Sequence, residues 1–133
     1  MRLTTKSEYT ILALIYLARH ESQEFAKMEA ICAEYGIPKK YLEQLFFILK
    51  RSGYIKAKRG AEGGYCLAKP PDKITLAEVI RLTDGALAPT ESVSEYFFAH
   101  TPLEKEPKVI GVLAEIRDFV SKRLEATRLA DLL

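Results

Sequence analysis

The sequence predicts a mainly α-helical chain with one small β-hairpin, laid out as a winged helix-turn-helix with a long C-terminal helix. Three stretches carry that expectation. Over residues 38–52, Leu42, Leu45, Phe46 and Leu49 recur at three- and four-residue steps, which puts them on one apolar helix face. Immediately before it, Tyr35-Gly36-Ile37-Pro38 makes a tight turn between two helical patterns. Immediately after it, Tyr54–Lys58 and Gly64–Ala68 have strand character and are joined by the glycine-bearing Arg59–Gly63, which reads as a hairpin.

Taken in order, Thr5-Lys6-Ser7-Glu8 has the spacing of a capping box and opens a helix to about His20. Tyr9, Leu12, Ile15 and Tyr16, with Leu14 and Leu17 beside them, make it apolar around most of its circumference. A helix of that kind is buried on more than one side, in a core or at a subunit contact. A second helix, about residues 27–35, carries Met28, Ile31 and Cys32 inward and stops at Gly36. Pro38 suits the first turn of the third helix, where its missing N–H costs nothing, and Gly53 is placed to end it in a left-handed turn.

Beyond the hairpin, Lys69-Pro70-Pro71-Asp72 breaks regular structure, and Thr75-Leu76-Ala77-Glu78 is a second capping box opening a short helix. Residues 86–108 are the least regular. Thr90–His100 has helical spacing in Val93 and Phe97, with Tyr96 and Phe98 beside them. From Pro107, Val109, Leu113, Ile116, Val120 and Leu124 form a near-heptad seam. A seam so narrow on so small a chain is expected to pack against a second copy, the alternative being its own domain. The tail Arg128–Leu133 is apolar enough to fold back. The expected division is a winged helix-turn-helix domain over residues 1–85 and, over 86–133, a further segment with a dimerisation helix and a tail that packs back.

Composition bounds the function. The 133 residues are 48% hydrophobic and 29% charged, the balance of a soluble protein. The most apolar run, Tyr9–Ala18, falls short of the roughly 20 residues needed to span a bilayer, so no membrane role and a cytoplasmic location are expected. Two cysteines, Cys32 and Cys66, fit a reducing compartment. No phosphate-binding glycine loop, HExxH or nucleophile elbow is present, and His20 and His100 sit at element ends, so an enzyme is not expected. Charge is uneven. The chain nets +2, yet residues 38–60 hold Lys39, Lys40, Lys50, Arg51, Lys56, Lys58 and Arg59 against one acid, Glu43. A basic patch on a near-neutral protein is the footprint of a nucleic-acid partner. A protein-interaction module is the competing class, and the excess of cations favours DNA.

Four strings at their mutual spacing, MRLTTKSEYTILALIYLA, YLEQL, RGAEGGYCLA and PPDKITLAEV, closely resemble the Rrf-two family of bacterial transcription regulators. The resemblance covers nearly the whole chain. It implies a homodimer on a palindromic operator in double-stranded DNA, with the third helix in the major groove and the wing in the flanking minor groove; repression is the expected effect, activation the alternative. It places Lys39, Lys40, Tyr41, Glu43 and Gln44 on the DNA-facing helix. Gln44 can pair with adenine and Glu43 with cytosine, whereas Tyr41 and the lysines suit phosphate. Arg59 matches the wing-tip arginine that enters a narrow A·T-rich minor groove, Lys56 and Lys58 add charge beside it, and Gly60, Gly63 and Gly64 let the loop turn and approach closely. Glu43 pairing Lys39 or Lys40, and Tyr41 at the core edge, are the structural alternatives.

One departure matters. Many relatives hold an iron–sulfur cluster through three cysteines between the fourth helix and the long last helix. Here that segment contains none, and Ser92 stands about where the first ligand would be. Iron–sulfur clusters require thiolates, which Ser92 and His100 cannot replace. Glu8 lies where one branch draws a carboxylate ligand, but its capping box explains it. The expectation is therefore a cluster-free regulator with no metal, controlled by a protein or small-molecule effector. Cys66, near Lys56 and Lys58, is a candidate redox thiol if its pKa is lowered, and Tyr96, Phe97, Phe98 and His100 are candidates for a ligand pocket or for core.

Overall fold

The computed structural model describes residues 1–133, apart from the side chain of Gln23. Its regular elements are α1 (Thr5–Arg19), α2 (Met28–Tyr35), α3 (Lys39–Arg51), β1 (Ile55–Lys58), β2 (Gly64–Leu67), α4 (Leu76–Asp84) and α5 (Pro107–Glu125), interspersed with short 3-10 turns. Packing divides the chain into two compact units: Glu8–Ile74 with Arg128–Leu133, and Met1–Ser7 with Thr75–Thr127. The division expected after residue 85 thus falls, in packing, after Ile74.

The first unit holds the helix-turn-helix and the hairpin. Leu42, Leu45, Phe46 and Leu49 of α3 are buried, as their periodicity predicts. They share the core of this unit with Leu14, Leu17, Met28, Ile31, Ile55 and Leu67. Burying each such side chain is worth about 1.5–3 kcal/mol. The Phe46 ring meets Tyr65 edge-on, centroids 4.6 Å apart. On α1 the inward face is Thr10, Ala13, Leu14, Leu17 and Ala18, while Tyr9, Leu12, Ile15 and Tyr16 are half-buried. Small alanines permit close approach on the first face, while the Tyr9 and Tyr16 rings meet Tyr41 and Tyr35 edge-on.

Gly36 ends α2 at φ 68°, the left-handed cap that only glycine adopts without strain, and its N–H donates to the Cys32 carbonyl. Pro38 sits one position earlier than expected, as the extended N-cap of α3 (φ −61°, ψ 131°). β1 and β2 pair antiparallel with Ile55 opposite Leu67, Lys56 opposite Cys66, Ala57 opposite Tyr65 and Lys58 opposite Gly64. The segment before α2 adds to this sheet, since Ala26 and Tyr65 exchange N–H···O bonds of 2.8 Å. The tail returns to the unit: the Leu129 N–H donates to the Ile74 carbonyl at 2.8 Å, and Leu129 is buried.

In the second unit, α4 opens with the capping box that its sequence announces. The Thr75 hydroxyl accepts from the Glu78 N–H at 3.2 Å, and the Glu78 carboxylate accepts from the Thr75 N–H at 2.9 Å. The box expected at Thr5–Glu8 gives way to another arrangement. Thr5 is itself helical, and Thr4 donates through its backbone N–H (2.9 Å) and its hydroxyl (2.5 Å) to the Asp84 carboxylate. The Ser7 hydroxyl bonds that of Thr83. A carboxylate at a helix N-terminus does the work of the box and also opposes the helix dipole. Burial pushes the Asp84 carboxyl up, but the bonds from Thr4 and Ser7, with Lys6 nearby, outweigh it and hold the group below its ordinary value.

The helical spacing within Thr90–His100 does not produce an α-helix; a 3-10 turn, Glu91–Val93, forms there. Hydroxyl groups and one arginine hold the backbone in an irregular path instead. Ser94 Oγ accepts from the Phe97 N–H at 3.0 Å, Ser92 Oγ accepts from the Thr101 hydroxyl at 2.8 Å, and Arg117 donates to the Val93 carbonyl at 2.9 Å. Local side-chain bonds of this kind compete with the helical ladder.

Candidate nucleic-acid interface

α3 is an amphipathic rod about 20 Å long at 1.5 Å per residue. Its apolar side is fully committed to the core, which leaves the opposite side to present polar groups. Lys40, Glu43 and Gln44 are exposed there and bound one shallow concavity with Phe47 and Ile48. Lys39 is tied sideways: its ammonium lies 2.9 Å from the Glu29 carboxylate of α2, both groups exposed. The hydrogen bond between them lowers the carboxyl pKa of Glu29 and raises the ammonium pKa of Lys39. The pairing partner of Lys39 is therefore Glu29 and not Glu43. Tyr41 is half-buried, its ring edge-on to Tyr9 at 5.4 Å, at the margin of the core.

The hairpin carries Lys56, Lys58 and Arg59 exposed. Its tip is held rather than loose. Lys27 Nζ donates to the Ala61 carbonyl at 2.8 Å and approaches the Gly60 carbonyl at 3.5 Å, and the Lys58 ammonium stands 5.5 Å from the Phe25 ring centroid. Gly64, at φ 151°, lies so close to the Ala26 strand that a Cβ would fall 2.4 Å from the Ala26 carbonyl oxygen. At Gly63 a Cβ would fall 2.0 Å from the Lys58 carbonyl oxygen. These two glycines thus serve the hairpin's own packing, while Gly60 (φ 102°) turns an open loop. Lys27 and Ala26 escaped the sequence reading because their partners lie more than thirty residues away and no periodicity links them.

The Cys66 thiol departs from the redox expectation. Burial pushes the Cys66 thiol up; Lys56 opposite it offsets this only in part, and Glu21 adds to the rise. Burial likewise raises Cys32, with Glu29 adding to it and Lys39 opposing. Cys32 is half-buried, between core and solvent. A raised pKa keeps a thiol protonated and slow to oxidise, so the lowered pKa on which a Cys66 sensor would depend is not present.

In the segment after α4 the aromatic side chains are not buried together. Tyr96, Phe97 and Phe98 are all largely exposed, the first lying under the Arg81 guanidinium at 4.7 Å. His100 is exposed and bonds Glu104 at 3.0 Å. The crevice bordered by Tyr96, Phe97, Leu87 and Ser121 has a volume near 10 Å³, about one water. The donor set here does not fit an iron–sulfur cluster: Ser92 spends its oxygen on Thr101, and the cysteines lie in α2 and β2. Among the described residues no three His, Cys, Asp or Glu side chains converge as metal ligands.

α5 presents the other exposed surface. Val109, Val112, Ile116 and Phe119 are 42%, 57%, 46% and 73% exposed. They step by three, four and three, so they form one continuous stripe. Of the residues expected in the seam, Val109 and Ile116 lie on this stripe, whereas Leu113, Val120 and Leu124 are half-buried beside it. Val112 and Phe119 were missed because both stripes fit a near-heptad spacing, and only packing shows which one is left over.

A helix-turn-helix with its second helix outward, followed by a basic hairpin, defines a winged helix-turn-helix transcription regulator rather than an enzyme. The family described as iron-dependent transcriptional regulator, Rrf2, matches residues 3–133, and the chain belongs to it. The HTH-type transcriptional regulator CymR of Bacillus subtilis is 33% identical over 132 residues, which cover 99% of this chain and 89% of CymR. A solved structure titled as that of CymR, the global cysteine regulator of B. subtilis, superposes with a TM-score of 0.80 at 32% identity, covering 99% of this chain and 95% of the other. The IscR of T. potens gives 0.78 at 27% identity, with coverage of 99% and 85%. No helix among the described residues is long and apolar enough to cross a membrane.

Proposed function

We propose that this regulator acts in the cytoplasm as a homodimeric repressor on a palindromic DNA operator, without an iron–sulfur cluster and under the control of a protein or small-molecule effector. The observation that carries the reading is the pairing of an outward α3 face, Lys40, Glu43 and Gln44, with a hairpin whose tip is pinned by Lys27. α3 enters the major groove, where Gln44 and Glu43 meet base edges and Lys39, Lys40 and Tyr41 meet phosphate. Arg59 enters the neighbouring minor groove, supported by the charge of Lys56 and Lys58. A two-fold operator requires a two-fold protein, and the exposed stripe on α5 supports this dimer. A contiguous apolar stripe on one helix is the pattern of a surface that is covered in use. The missing thiolates support a cluster-free form.

The test is selection of genomic fragments by protein purified without air and assayed for iron. Enrichment of a shared palindrome by iron-free protein is the expected result. Arg59→Ala is expected to weaken binding and blunt the preference for A·T at the flanks while leaving the dimer intact. Binding that requires iron, or an Arg59→Ala variant with unchanged flanking preference, would contradict the reading.

A further inference from the structure

We infer that Phe47 is a specificity-determining residue, reading the C5-methyl of a thymine one or two base steps from the one Gln44 reads. The inference rests on the proposed placement of α3 in the major groove and goes beyond it in naming a reader and its target.

Three observations carry it. Phe47 is 66% exposed while its neighbours Leu45, Phe46 and Leu49 are buried, so the ring forgoes most of what burial in the core would give. It stands three residues after Gln44 and four after Glu43, which puts it within about 5–6 Å of both at Cβ and on their face. Lys40, Glu43, Gln44 and Phe47 border the same shallow concavity, with the half-buried Ile48 at its edge.

The charge around the ring selects its occupant. α3 carries Lys39, Lys40, Lys50 and Arg51 against Glu43 alone, which suits a polyanion and opposes a basic or neutral protein surface. Phe has neither donor nor acceptor, so it can add nothing to hydrogen-bonded readout. The one apolar group that the major groove offers is the thymine methyl, and apolar side chains contact it there. Successive bases on a strand are spaced about 3.4 Å apart, so a side chain one helical turn from Gln44 reaches the next step or the one after it.

The test uses the operator recovered by selection, with each thymine replaced in turn by deoxyuridine, which deletes the methyl and keeps every hydrogen-bonding group. Binding of the intact protein is expected to weaken about fourfold at one thymine per half-site, the factor equivalent to the roughly 0.8 kcal/mol of one buried methyl(ene) group. Phe47→Ala is expected to bind the natural operator more weakly and to be indifferent to that same replacement, with unchanged sedimentation. Tolerance of every deoxyuridine by the intact protein overturns the inference, as does an undiminished response in Phe47→Ala. A change of oligomeric state in Phe47→Ala overturns it too, by assigning the ring to an interface between copies. Absence of any preferred duplex would instead bring down the DNA-reading role of α3, and this inference with it.

Discussion

α3 and α5 carry apolar residues in the same rhythm of threes and fours, and the two helices end differently. On α3 the stripe is covered, with Leu42, Leu45, Phe46 and Leu49 at 0–3% exposure, and the polar side faces out. On α5 no residue is fully buried, and Val109, Val112, Ile116 and Phe119 stand 42–73% exposed. Periodicity therefore announces a helix with an apolar face but not what covers that face. In α3 the cover is the unit's own core, and the leftover surface is chemically specific. In α5 the leftover surface is the apolar one, and it is this surface that the proposed second copy would cover.

Substitutions can break or sharpen this contrast. The largest effect belongs to Phe46→Ala, which empties a buried ring site against Tyr65 and is expected to cost about 3–5 kcal/mol in urea unfolding. Phe119→Asp puts a charge in the exposed stripe and is expected to weaken self-association at least about tenfold, about 1.4 kcal/mol, seen by sedimentation across a dilution series. Little change in secondary structure should accompany it, and an unaltered oligomer would detach α5 from dimerisation. Gln44→Ala removes a polar group from the outward side of α3. It should leave stability alone and relax preference at one base position by about 1–3 kcal/mol.

Smaller effects probe the second unit. Thr75→Ala deletes the cap of α4 and is expected to cost about 1 kcal/mol, read as a lowered midpoint in thermal unfolding. The Asp84 contact with Thr4 supplies a pH dependence whose sign is fixed. The folded-state carboxyl lies below its ordinary value, so its contribution is complete above the unfolded Asp range, near about 3.9, and disappears as pH falls through the lower folded value. Asp84→Asn should thus trail the parent protein in Tm at neutral pH and draw level in acid. A gap that widens in acid would assign the effect elsewhere.

How much of this was legible in the sequence follows from the range of the interactions. The α3 core face, the Gly36 turn, the hairpin and the Thr75–Glu78 box all depend on residues within a few positions of one another. The start of α1 was misread because Thr5-x-x-Glu8 has the spacing of a box, whereas the actual partner of this helix end, Asp84, is some eighty positions on. Thr90–His100 was misread because Val93 and Phe97 mimic a helical step, while Ser92, Ser94 and Arg117 bind the chain into another path. In the candidate interface, the residues carried by the YLEQL and RGAEGGY strings were named in advance. Lys27 was invisible because its contact is made only when the hairpin folds over it. Phe47 was passed over because an aromatic next to Phe46 reads as more core.

The central claim is that the outward side of α3 and the hairpin tip bind DNA through its phosphates and bases. It is tested most directly by measuring operator affinity against salt for the intact protein, Lys40→Ala and Arg59→Ala. The account predicts a linear fall of log affinity with log salt concentration, and a slope reduced by about one for each lost cation that neutralises a phosphate. A flat salt dependence, or slopes identical in all three proteins, would contradict it.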